Sequence, residues 1–205
     1  MPFTPSDSER ERLSRFQSQQ AEQDFVAAHW LGRQALGAAT STDPRSWTLA
    51  QSCRRCGASH GPVHVSAAPR GHDADWHLSL SHSRGVVGAA VARCPVGVDL
   101  ERRWERHWAE DVADLAYSAA ERRLLDEEAD PGRAAALARL FWTRKESLVK
   151  LGRLSLDTLA STDVSGLPEP QSPLSTHTLG PVVIHDFQVR SCDVAGSASM
   201  LASAS

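Results

Sequence analysis

Lysine is nearly absent from this chain. Of its 22 basic residues 20 are Arg and two are Lys, and those two, Lys145 and Lys150, fall close together. A coding bias towards Arg accounts for the shortage but not for the clustering. Something near 145–150 therefore wants an ammonium and would not accept a guanidinium. Long apolar runs are missing too: none approaches the roughly 18 residues a membrane span needs. Residues 1–24 are predominantly polar, with no apolar stretch resembling a secretion signal. Cysteine is sparse and uneven (53, 56, 94 and 192), which argues against a disulfide framework and for a reducing cytoplasm. There is no excess of positive charge, since 22 basic residues face 25 acidic ones for a formal net charge of −3. A nucleic-acid binder working through a phosphate-neutralising surface is thereby disfavoured. What is present is ordinary for a soluble globular protein: 205 residues, 41% hydrophobic and 23% charged. That length suits one domain, or two small lobes sharing a core.

Periodicity and turn residues suggest the organisation. Residues 10–37 read as one helix, with Phe25, Ala28, Trp30, Leu31 and Leu36 as its apolar stripe and Gly37 as its stop. Strands are expected at 63–66 and 76–80. Residues 86–92 and 96–101 look like a hairpin across Arg93-Cys94-Pro95. Residues 107–128 read as helical, with a break at Tyr117-Ser118. Asp130-Pro131 supplies an N-cap and a first-turn proline for a long helix ending at Gly152. Pro/Ser-rich residues 165–176 read as a loop, and 182–189 and 197–203 as final strands. Helices and strands without regular βαβ alternation favour an α+β fold.

Three segments carry chemistry. In Val96-Gly97-Val98-Asp99-Leu100-Glu101, strand alternation puts Asp99 and Glu101 side by side on one face. Their repulsion must be offset, and Mg²⁺ does so with oxygen ligands; a solvated strand face is the competing reading. On the long helix, Leu137, Leu140, Phe141, Leu148 and Leu151 share a face, while Trp142, Glu146 and Lys150 share another. That second face is either a helix-stabilising Glu–Lys pair or part of a site with Asp99 and Glu101. Ser79-Leu80-Ser81-His82-Ser83 reads as a hydroxyl-rich turn leaving a strand; its His is either a loop hydrogen-bonder or, with the Ser hydroxyls, a group that holds phosphate oxygens. Cys53-Arg54-Arg55-Cys56 with His60 and His64 has too short a Cys-to-His gap for a zinc finger and reads as a reduced loop. Glu121 follows Ser118 at capping-box spacing.

Together, SLSHS at 79–83, GVDLE at 97–101 and FWTRKESLVK at 141–150 resemble the Sfp-type 4'-phosphopantetheinyl transferases, with the likeness running from about residue 10 to 157. The resemblance implies two pseudo-twofold-related α/β lobes, 1–95 and 96–205, with the active site in the cleft between them. It implies transfer of the phosphopantetheine arm of CoA to a serine of an acyl or peptidyl carrier protein, releasing 3',5'-ADP. By that analogy Asp99, Glu101 and Glu146 hold Mg²⁺, Glu146 also accepts the serine proton, and Lys150 stabilises phosphate charge. Ser81, His82 and Arg12 would bind CoA, and Glu121 matches a family acid near the metal. Lys145 belongs to the motif without a physical role of its own.

The departures lie on the CoA side. His60-Gly61 runs into Pro62 where the family usually has a base, leaving Arg54, Arg55 and Arg70 nearest. Helix positions that commonly carry bases hold Glu9, Gln19 and Asp24, leaving Arg12, Arg15 and Arg33, and the stretch after Lys150 is shortened to Gly152-Arg153-Leu154. A cytoplasmic monomer with CoA and a carrier protein as partners is expected. The alternative is a transferase-like protein that binds a carrier protein or other ligand without modifying it.

Overall fold

The computed structural model describes residues 2–53, 56–59, 61–102, 113–189, 191 and 193–202. With 37% helix and 28% strand it is mixed, as an α+β fold requires. The chain divides into two compact units, Met1–Val96 and Gly97–Ser205. No helix among the described residues is long and apolar enough to cross a membrane.

The first unit opens with α1 (Asp7–Leu13) and α2 (Gln19–Thr40), two helices where the sequence suggests one over 10–37. Each has its own start. Ser6 and Glu9 form a reciprocal capping box on α1, and the Ser18 hydroxyl accepts the Ala21 N–H at the head of α2. Between them Phe16 turns back onto the Phe25 ring, 5.4 Å between centroids. A buried cluster docks the two helices. The Glu9 carboxylate receives both terminal nitrogens of Arg33 at 2.9 Å and lies 2.6 Å from His29 Nδ1, with all three residues nearly solvent-free. Periodicity misses this break because Glu9 counts as polar while being buried.

Strands β1 (Thr48–Gln51) and β2 (Val63–Ala67) pair antiparallel, as do β3 (His77–Ser83) and β4 (Val86–Ala92). Leu36, Trp47, Leu49, Val65 and Leu78 form the core of this unit. The β3–β4 hairpin turns on Arg84 and Gly85, both at positive φ (47° and 82°), which suits a tight two-residue loop. Asp24 Oδ2 accepts the Gly85 N–H at 3.2 Å and so braces that turn.

The second unit contains β5 (Val96–Arg102), α3 (Ala113–Ala116), α4 (Ala119–Glu127), α5 (Pro131–Lys150), β6 (Leu174–Leu179), β7 (Val182–Val189) and β8 (Val194–Leu201). Its sheet runs β5-β8-β7-β6, with β6–β7 and β7–β8 antiparallel. The expected hairpin of 86–92 with 96–101 is therefore wrong: β4 pairs with β3 and β5 lies beside β8. The two-residue Arg84-Gly85 turn closes the nearer hairpin, and Pro95 sits at the boundary between units. The helix expected over 107–128 falls partly outside the described residues; from 113 it is two short helices separated at Tyr117-Ser118. Strand β1 and most of β6 escaped the sequence reading, because neither shows a clear alternation of apolar and polar residues.

Asp130 caps α5 by accepting from the Gly132 and Arg133 N–H groups, with Pro131 in the first turn. At the other end Gly152, at φ 78°, closes the helix in a Schellman arrangement: Arg153 N–H bonds Leu148 O, and Gly152 N–H bonds Val149 O. Leu137, Phe141, Leu148 and Leu151 face a core completed by Tyr117, Val164, Val182 and Ile184.

Candidate active site

Two glycines set where Asp99 stands. A methyl group on Gly97 would lie 2.0 Å from Ser147 O and 2.6 Å from Leu151 N, so only glycine lets α5 press its backbone against β5. On β8, a methyl on Gly196 would lie 2.6 Å from Asp99 O and 2.3 Å from the Phe187 ring. Both close approaches hold the Asp99 backbone between a helix and a neighbouring strand. The strand is consequently buried on both faces, from Val96 to Leu100, and Asp99 is only 4% exposed. A solvated outer strand face is excluded at that residue.

The last turns of α5 supply the other charges. Lys150 Nζ donates to Asp99 Oδ1 at 2.7 Å. Glu146, one turn earlier, is half-buried, and burial raises its carboxyl above the ordinary value. Asp99 pushes the same way, Lys150 opposes, and Glu101 adds to the rise. Among the described residues, Asp99, Glu101 and Lys150 thus act on Glu146 in one electrostatic field. Trp142, on the same helix face, is partly buried against the unit's core.

The donor set is all carboxylate oxygen, which suits a hard divalent cation. Among the described residues, however, no group of three or more His, Cys, Asp or Glu side chains is gathered as a ready-made metal cluster. One carboxylate oxygen of Asp99 is taken by Lys150 instead.

Lys145 belongs to a different structure. It is fully buried, and its ammonium donates to Glu121 Oε2 at 2.5 Å and to the carbonyls of Ala116 and Leu159, each at 2.8 Å. Three acceptors around one nitrogen match the three donors of an ammonium, which the planar fork of a guanidinium does not reproduce. Burial pulls this ammonium below its ordinary pKa, while Glu121 holds it up. Glu121 is equally enclosed: it accepts from Ser118 N at 2.8 Å and Val164 N at 2.9 Å as well as from Lys145. Glu121 forms the capping box with Ser118 that its spacing suggests, with a buried ion pair added.

The remaining sequence candidates lie in the first unit. Ser81 is buried along one face of β3 with Ser79 and Ser83. His82 is exposed and shares the alternate face with Leu78 and Leu80. The SLSHS segment is part of the strand itself, the turn following at Arg84. Arg12 is half-buried, its guanidinium 5.4 Å from the centre of the Phe16 ring. Arg33 is consumed by Glu9, and Asp24 accepts from Gln20 and Gly85, so neither is a surface group facing a phosphate. Arg54, Arg55 and His60 lie outside the described residues.

Sequence reasoning also missed the buried pair of Arg144 with Asp186, in which Arg144 Nη2 donates to Asp186 Oδ2 at 2.7 Å and Ser197 donates to the other carboxylate oxygen at 2.6 Å. Its only sequence signal is an arginine placed between apolar helix positions.

Comparison with known proteins is concentrated on the second unit. No curated protein sequence matches the chain. The model of the 4'-phosphopantetheinyl transferase superfamily matches residues 95–190, a span that holds Asp99, Glu101, Glu121, Glu146 and Lys150. Over residues 95–190, then, this chain is similar to the 4'-phosphopantetheinyl transferase superfamily, whose general chemistry is phosphopantetheine transfer.

Proposed function

We propose that the protein is an Mg²⁺-dependent Sfp-type transferase that moves the phosphopantetheine arm of CoA to a serine of an acyl or peptidyl carrier protein. The observation that carries this reading is the shared field of Asp99, Glu101, Glu146 and Lys150 inside the matched segment. Mg²⁺ held by Asp99, Glu101 and Glu146 would neutralise charge on the CoA pyrophosphate. Phosphoryl transfer asks mainly for positioning and charge neutralisation, and these side chains supply both.

The serine oxygen bonds to the phosphorus that bears the pantetheine arm. The bond from that phosphorus to the 3',5'-ADP oxygen breaks, and 3',5'-ADP leaves with the electron pair. The serine proton passes to Glu146, directly or through a water. Lys150 donates to phosphate oxygens through a compact ammonium. Ser81, His82 and Arg12 are assigned to binding CoA on the strength of the motif resemblance.

Incubation with CoA, Mg²⁺ and several apo-carrier proteins, with each carrier then weighed by mass spectrometry, tests the reading. A phosphopantetheine mass gain and 3',5'-ADP release are expected. Asp99→Ala and Glu146→Gln should abolish both with the fold intact. No gain across the carriers would leave the binding-protein alternative; wild-type rates in either variant would refute the site.

A further inference from the structure

Lys150 has a second relation to the site that phosphate binding does not explain. Its ammonium lies 2.7 Å from Asp99 Oδ1, and it is the positive charge acting on Glu146 against Asp99 and Glu101. The Asp99 side chain is 6% exposed and that of Lys150 28% exposed, so this is a half-buried pair rather than a solvated surface contact. Its two ends differ in freedom. Asp99 sits on a strand clamped at Gly97 and Gly196, whereas Lys150 is the last residue of α5 and carries four rotatable methylenes ahead of its charge. The rigid partner is the carboxylate and the mobile partner is the ammonium.

We propose that Lys150 is the resident counter-ion of this acidic site, displaced from Asp99 when a divalent cation enters and thereby made available to phosphate oxygens. The proposal rests on the reading of Asp99, Glu101 and Glu146 as metal-holding residues. Withdrawing Lys150 without filling the site would take its ammonium from Asp99 and leave the repulsion of Asp99 and Glu101 on Glu146 less opposed, and a lysine that comes and goes avoids this. The exchange also orders events. Lys150 stays on Asp99 until the metal arrives, so metal loading and phosphate engagement are coupled through one side chain. Arginine is a poor substitute here, because a guanidinium forks bidentately onto carboxylate and is slower to give it up.

The composition makes the test direct. With two lysines in the chain, the protein labelled with ¹⁵N gives at most two side-chain ammonium signals, and Lys150→Met assigns them. Mn²⁺ affinity is measured by calorimetry, without CoA, on wild type, Lys150→Met and Lys150→Arg. The ammonium signals are followed separately during Mg²⁺ titration. Affinity about fivefold or more higher in Lys150→Met and no higher in Lys150→Arg is expected, together with movement of the Lys150 signal while the buried Lys145 signal stays put. Equal affinity in wild type and Lys150→Met, or a Lys150 signal unmoved by bound Mg²⁺, overturns the exchange and leaves the metal site standing. No Mn²⁺ binding by any of the three proteins overturns the metal site itself, and the exchange with it.

Discussion

Replacing Lys145 by methionine is the most searching test of the reasoning. The ammonium is wholly enclosed and donates to one carboxylate and two carbonyls from three separate segments: the end of α3, the first turn of α4 and the loop at Leu159. Methionine fills similar space but leaves the Glu121 carboxylate buried with only two backbone donors. Breaking a buried ion pair by removing one partner costs about 3–5 kcal/mol. Two carbonyls losing a donor fall within the same disruption and should not be added separately. We take about 4 kcal/mol, which at a urea m-value of about 2 kcal/mol/M shifts the midpoint by about 2 M. Lys145→Arg should also destabilise, because its planar fork cannot reach the same three acceptors. Lys145→Met combined with Glu121→Gln should recover part of the loss, since no unpaired charge is left and the amide oxygen can still accept a backbone N–H. Urea unfolding of the full chain, followed by fluorescence, reads all of these. A loss under about 1 kcal/mol in Lys145→Met, or wild-type stability in Lys145→Arg, would refute the account of why this position is lysine.

Gly97→Ala should cost about 3 kcal/mol or prevent folding of the second unit, because its methyl meets helix backbone rather than a movable side chain; urea midpoints compared with an alanine substitution at exposed Gly166, where nothing lies within 4 Å, would show it. In the first unit, burial would raise the Glu9 carboxyl, but hydrogen bonds from His29, Arg33 and Ser6 bring it down from 4.5 to about 2. Its stabilisation, about 3 kcal/mol, is therefore present above pH 4.5 and lost as pH falls through that value towards 2; Glu9→Gln should flatten the acid limb of a stability–pH profile, and an unchanged limb would contradict the assignment. Glu146 has the opposite sign: its folded pKa is raised, so its contribution is fully present below 4.5 and lost as pH rises through the folded value. Glu146→Gln should thus abolish transfer while leaving thermal stability at neutral pH equal to or above wild type, and a clear fall in Tm would show that the carboxylate is structural.

Local chemistry made parts of this protein readable without coordinates. Asp130-Pro131 and Gly152 bound the long helix because capping and left-handed backbone depend on a few neighbouring residues. Val182–Val189 shows its strand pattern, and the acids of GVDLE announce themselves by spacing. The break after α1 was not legible, because it depends on a glutamate buried against an arginine 24 positions away. Neither was the partner of β4, since pairing depends on which neighbouring strand the connecting turn brings alongside and not on the strand's own composition.

The two lysines divide along the same line. Sequence alone determined that something near 145–150 needed ammonium chemistry, because scarcity and clustering are properties of the chain. Only the tertiary structure decided that the need is twofold. Lys145 requires three acceptors that meet only after α3, α4 and the Leu159 loop have packed around α5. Lys150 requires a carboxylate brought to it from a strand some fifty residues earlier, through a contact that glycine at position 97 permits. Spacing along one helix places a charge on a face; what stands opposite that face is set by packing.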